Sequence, residues 1–309
     1  MKFYYSYDIS RFNMENFLRF LFLFLYFTSS TVFGTIVHQS DHVNAHLIAE
    51  VLSIQPGRSF SVGVLLELEK DWHTYWQNPG DSGLPIAITW KLPAGFIPGD
   101  IQWPYPDRFG TDYVVNFGYE KEVLLITEIK ASPTAKPGET ITIEADVEWL
   151  VCKEECLAGH SELILSLSVQ DEESISDLVW IKKFVDTRKK WPIQSMDWTV
   201  GAAIEKNHVL LSISPPAWFK NEMKDIHFFP EQLELFDYSA PQLFEKTEDG
   251  YAIRAKLSTL AQKIPSELLG VLVSNQSWSR DSHNRAIRIV LPVEQLRKKD
   301  FKTYKEVSR

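Results

Sequence analysis

Two thiols stand at Cys152 and Cys156, with Lys153, Glu154 and Glu155 between them, and the chain has no other cysteine. Sulfurs this close support three chemistries: a short structural bridge, a clamp for a soft metal, or a pair that cycles between dithiol and disulfide. A bridge this local is a weak brace, because closing so short a loop stabilises by about 2 kcal/mol in the chain-entropy account. A structural zinc site needs four Cys or His ligands, and only His160 lies nearby in the sequence. Cu(I), which two thiolates satisfy, stays open. The residues favour a redox-active pair over a structural bridge, and either of these over a metal site. Lys153 favours a thiolate whereas Glu154 and Glu155 oppose one, so the sequence does not assign the attacking sulfur.

Disulfide chemistry belongs to oxidising compartments, and the start of the chain points to one. Lys2, Arg11 and Arg19 precede the apolar run "FLFLFLYF" (Phe20 to Phe27), and small residues follow up to Gly34. This is the pattern of a signal peptide over residues 1–34. The apolar stretch continues to Val37, which also suits an uncleaved inner-membrane anchor. Either reading sends the remainder of the chain to the periplasm. No other stretch is apolar enough to span a membrane. Lys plus Arg number 32 and Asp plus Glu 41, a net charge of −9, which argues against nucleic acid as a partner.

The elements that position the cysteines read mostly as strands. In "SFSVGVLLELE", Phe60, Val62, Val64, Leu66 and Leu68 alternate onto one face; in "TITIEADVEWLV", Ile141, Ile143, Ala145, Val147, Trp149 and Val151 do the same. Further strands are expected at 45–52, 86–90, 121–130 and 162–169, with "QNPGDSGLP", "LPAGFIPGD" and "AKPGE" as turns. Several short strands between turns predict a β-sandwich. Cys152 follows the last inward residue, so the two cysteines should flank a charged tip between neighbouring strands. Residues 171–192 change period: Ile175, Leu178, Val179, Ile181, Phe184 and Val185 are spaced for a helix that Pro192 stops. A second β-rich region runs over 195–294, and 295–309 forms a basic tail. The expected fold is all-β, two sandwiches (residues 42–170 and 195–294) joined by a short helix.

"GDSGLP" (Gly80 to Pro85) resembles the nucleophile motif of chymotrypsin-like serine proteases, but the context is wrong. Too little chain precedes Ser82 to supply the His and Asp of that architecture in order. The stretch reads as a turn.

Taken in order, "DWHTYWQNPGDSGLP", "WPYPDRF", "GYEKEVLL", "VEWLVCKEEC" and "LLGVLV" resemble the periplasmic N-terminal region of DsbD-type thiol–disulfide interchange proteins, especially the ScsB-like branch linked to copper tolerance. The likeness runs from about His42 to Val293. It implies immunoglobulin-like sandwiches and a reactive pair at Cys152 and Cys156. It also implies a membrane-embedded electron carrier, here encoded separately, and thioredoxin-fold proteins of the periplasm as receivers. A shielding cap corresponds to "PDRFGTDY", with Phe109 as the covering aromatic and Asp107 as a neighbouring acid. Arg108 departs from the acidic residue expected beside it. Sulfur carries the electrons, so no organic cofactor is needed. Two rival readings remain: a non-catalytic binding module that uses Trp72, Trp76 and Trp103 to hold a protein or glycan, and a Cu(I)-binding copper-tolerance protein.

Overall fold

The computed structural model describes residues 38–40, 42–111, 113–194, 197–261, 263–280 and 283–295. The expected signal peptide and all but the first residue of the basic tail lie outside the described residues. The first part of the chain forms β1 (His38–Ser40), β2 (Val43–Ala49), β3 (Ser53–Ile54), β4 (Ser59–Leu68), β5 (His73–Gly80) and β6 (Ala87–Lys91). It continues with β7 (Ile97–Gln102), β8 (Asp107–Gly110), β9 (Val115–Glu120), β10 (Glu122–Lys130), β11 (Thr140–Cys152) and β12 (Cys156–Val169). One sheet runs β1-β2-β4-β10-β7 and the other β3-β12-β11-β5-β9-β8, with β6 also paired to β11. The inward residues of β4 and β11 are the alternating sets read from the sequence, and all of them are buried.

Helix α1 (Ile181–Arg188) is much shorter than the helix expected over 171–192. Two of the residues before it are tied to the sandwich: Leu52 N–H donates to the Ile175 carbonyl at 2.9 Å and Asp177 N–H to that of Glu50 at 2.8 Å. Ile175, Leu178 and Val179 are consequently exposed. Of the apolar helical stripe only Phe184 is fully buried, among Ile48, Leu65, Leu124 and Ile126 on the outer face of the β4 sheet. That explains why β4 reads as nearly continuous apolar sequence: both of its faces are covered. Arg188 closes the contact with two hydrogen bonds to Glu50, each 2.5 Å.

The second β-rich part contains β13 (Thr199–Glu205), β14 (His208–Ser214), β15 (Ile226–Pro230), β16 (Leu243–Thr247), β17 (Gly250–Lys256), β18 (Glu267–Ser274) and β19 (Ala286–Gln295). Their order is β15-β18-β19-β13-β14-β17-β16. β19 pairs with β18 along its first residues and with β13 at its end, so it passes from one half of this sandwich to the other. The chain is thus all-β, two immunoglobulin-like sandwiches joined by a short helix. β15 and β16 carry no strong alternation in the sequence.

Two segments expected as turns are strands. β7 contains the "IPGD" of "LPAGFIPGD"; it is an edge strand, paired only with β10, where a proline N–H is not required. The first four residues of "QNPGDSGLP" end β5, the strand next to the cysteine-bearing β11. The back of β5 and β9 meets the second sandwich. Asn78 Nδ2 donates to the Pro230 carbonyl at 2.8 Å and lies 3.0 Å from the Tyr238 hydroxyl. The Phe117 ring stands edge-on to Phe229 and Tyr238, each 5.1 Å away between centroids.

Candidate functional site

β11 and β12 form one long hairpin whose register ends with Cys152 opposite Cys156. Lys153, Glu154 and Glu155 make the exposed tip, as expected, and the two sulfurs are joined in a disulfide. They are not equivalent. Cys152 is 3% exposed, whereas Cys156 is open to solvent.

Register determines what surrounds them. Cys152 pairs with His73 on β5; His73 pairs with Glu120 on β9; Tyr75 pairs with Gly118, which pairs in turn with Asp107 on β8. Directly opposed residues, and residues two apart on a strand, share one face of a sheet. Cys152, Cys156, His73, Tyr75, Glu120, Asp107 and Phe109 therefore all belong to the same face. Alternate residues of these strands, such as Val151, Trp76 and Phe117, point the other way into the core.

The contacts follow from that arrangement. The Tyr75 hydroxyl donates to Cys152 Sγ at 2.8 Å and lies 3.8 Å from Cys156 Sγ. Burial raises the Tyr75 pKa, so the phenol keeps its proton and remains a donor. Phe109 is stacked on the His73 imidazole, with 5.2 Å between centroids and 20° between planes. The same imidazole meets the Tyr75 ring edge-on at 5.5 Å. Burial lowers the His73 pKa, while the charge of Glu120 opposes the shift. Asp107 is exposed, and its charge adds to the burial that holds the Tyr119 phenol well above its usual range.

"GDSGLP" closes the far side of the site. Asp81 accepts from Val115 N–H at 2.8 Å, and Asn116 Nδ2 donates to the carbonyls of Pro79 and Ser82 at 3.1 and 2.5 Å. The same amide is 3.0 Å from the Ser82 hydroxyl, which is a partner in loop closure. Gly83, at φ +97°, lies flat on Tyr75; a Cβ there would come within 2.3 Å of the ring.

Residues 45–168 match the family described as thiol:disulfide interchange protein DsbD, N-terminal. This segment is a DsbD-type N-terminal domain. The N-terminal periplasmic domain of ScsB from Proteus mirabilis has the same fold over both sandwiches: the TM-score is 0.60 at 16% identity, covering 84% of this chain and 97% of that one. Two further structures, S-layer protein SbsC domains 5-6 (9% identity, 84% and 99% covered) and the periplasmic chaperone SfaE (6%, 81% and 100%), each reach a TM-score of only 0.21 and carry no argument. No curated protein matches the chain.

Within the DsbD-type domain, Asp107 and Phe109, expected on a capping loop, lie on short strand β8. Phe109 covers His73, the cross-strand neighbour of Cys152. The tryptophans of the rival binding module are not displayed on the surface: Trp72 is 8% and Trp76 1% exposed, and Trp103 packs partly buried against the core. Among the described residues, no group of three or more His, Cys, Asp or Glu is placed to hold a metal ion, and no helix is long and apolar enough to cross a membrane. Tyr75 and His73 had not been singled out as site residues. Their signal was present in "WHTYW": on a strand, the two core tryptophans and Thr74 take one face and leave His73 and Tyr75 on the other.

Proposed function

We propose that the protein is a periplasmic thiol–disulfide exchange component. In this reading Cys152 and Cys156 accept reducing equivalents from a membrane-embedded carrier and pass them to thioredoxin-fold proteins. The observation that carries it is the asymmetry of the pair. A disulfide at a hairpin tip presents Cys156 to a partner and keeps Cys152 beneath it, held by a phenol. Attack on a partner disulfide by the accessible Cys156 thiolate gives a mixed disulfide, which Cys152 resolves from below. Sulfur carries both electrons, so no organic cofactor takes part. In the same reading Phe109, stacked on the His73 ring, and Asp107 beside it regulate access to the pair.

Trapping tests this reading. With Cys152→Ala the mixed disulfide cannot be resolved, so Cys156 should hold a thioredoxin-fold protein from a periplasmic extract in a reducible covalent complex. Cys156→Ala should trap far less. No covalent partner with either variant contradicts the proposal.

A further inference from the structure

An exchange cycle at this site has a proton to move at the buried sulfur. Cys156 is open to water and can ionise there. Cys152 is buried, and its thiol must lose a proton as it attacks Cys156 to close the bridge. The groups around it are few. Tyr75 is a donor to Cys152 Sγ, and a phenol that keeps its proton is too weak a base to take another. Lys153, at the hairpin tip, is paired with Asp71 at 3.3 Å. Glu120 lies on β9 and Asp107 on β8, one and two strands beyond β5 in the order β12-β11-β5-β9-β8. His73 is the residue directly across from Cys152. Opposed side chains start about 5 Å apart at Cβ, within reach of an imidazole nitrogen directly or through one water. Among the described residues, the His73 side chain has ring contacts with Phe109 and Tyr75 but no hydrogen bond, so its nitrogens are uncommitted.

We infer that His73 is the proton-exchanging group for the buried Cys152 sulfur, taking its proton when the bridge closes and returning it when the bridge opens. The inference rests on the exchange reading above. In the closing step the Cys152–Cys156 bond forms, the bond from Cys156 to the partner sulfur breaks, and that sulfur leaves as a thiolate. The Cys152 proton goes to neutral His73 and from there to water. The dithiol loses two electrons and the partner disulfide gains them. When a reducing thiolate attacks Cys156, Cys152 leaves with the bond's electron pair and is reprotonated by the imidazolium. The lowered pKa of His73 suits it to the closing direction, because it is neutral at neutral pH. Phe109 covers the ring and limits direct exchange with bulk water.

The test uses the full chain and small reagents, so it does not depend on any protein partner. Reduced wild type, His73→Phe and His73→Gln are mixed with glutathione disulfide, and bridge closure is followed by quenching and mass spectrometry from about pH 5 to about pH 9. Wild type should show an inflection below the ordinary histidine range. Both variants should lose that inflection and close the bridge about tenfold more slowly near neutral pH. Alkylation of Cys156 in a Cys152→Ala background should be unchanged by either His73 substitution, which a general disturbance of the site would not allow. His73→Gln, close in size and polar, carries the test where the Phe variant misfolds. Variants that keep the wild-type profile and rate within about twofold overturn the role of His73 alone. A wild-type bridge that neither opens nor closes in the folded protein overturns this inference and the exchange reading together.

Discussion

The Tyr75 hydroxyl donates to the Cys152 sulfur at 2.8 Å from the strand beside the cysteine hairpin. This one bond ties the aromatic motif of β5 to the chemistry of β11. A hydrogen bond to a charged acceptor contributes about 1.5–3 kcal/mol, so Tyr75 favours Cys152 as a thiolate whenever the bridge opens. Tyr75→Phe should raise the Cys152 thiol pKa by about one unit or more. Titration of the thiolate absorbance of the reduced protein, in a Cys156→Ala background, measures it. An unchanged pKa would show that the phenol only fills space.

Gly83 holds the "GDSGLP" loop against Tyr75. Its φ of +97° disfavours any side chain, and an added Cβ would meet the Tyr75 ring at 2.3 Å. Gly83→Ala should destabilise the protein by about 1–3 kcal/mol and displace the phenol from the sulfur. Urea unfolding measures the first effect. Faster reduction of the bridge by dithiothreitol under native conditions reports the second.

Phe117 packs on both Phe229 and Tyr238 behind the site. Its strand pairs with β8, which carries Phe109. Phe117→Ala should cost about 3–5 kcal/mol as a large buried truncation. Because the second sandwich grips the back of this hairpin, hydrogen exchange should quicken across 107–120 more than across the distant β13–β14 pair. Equal acceleration everywhere would mean that the contact has no local effect on the cap.

His227, on β15 near that interface, is partly buried, and its pKa is lowered to about 4, by desolvation first and by the charge of Arg108 second. Its Nε2 has no partner among the described residues. An unfolded histidine takes up a proton near pH 6.5, before the folded one does. Its contribution to stability is therefore full above about pH 6.5 and is lost as the pH falls toward 4. His227→Phe should flatten the fall in unfolding free energy across that window by up to a few kcal/mol. Denaturant titrations of both proteins at neutral and acid pH test it; parallel losses would assign the acid sensitivity to other groups.

Much of this organisation was legible in the sequence because it is periodic. The inward sets of β4 and β11 alternate cleanly, and the cysteines fall at the charged tip that the alternation implies. The helix is shorter than its period suggests because Ile175, Leu178 and Val179 fit that period while backbone groups at Ile175 and Asp177 are taken by the sandwich edge, a tertiary competition that a single stretch does not reveal. β5 was hidden for another reason. Its Asn, Pro and Gly resemble a turn, and its partner strands are remote in sequence. The site face itself needs register across five strands, β12, β11, β5, β9 and β8, and register is a property of pairing rather than of any one segment. That is why Cys152 and Cys156 stand out in the sequence and Tyr75 and His73 only in three dimensions.

The sharpest check is to treat the folded, oxidised protein with dithiothreitol, add iodoacetamide in limiting amount, and locate the label by mass spectrometry while circular dichroism confirms that the fold persists. The bridge should open without denaturant, and Cys156 should carry the label well before Cys152. A bridge that yields only after urea unfolds the chain, or a label that reaches Cys152 first, contradicts an accessible exchanging sulfur at this hairpin tip.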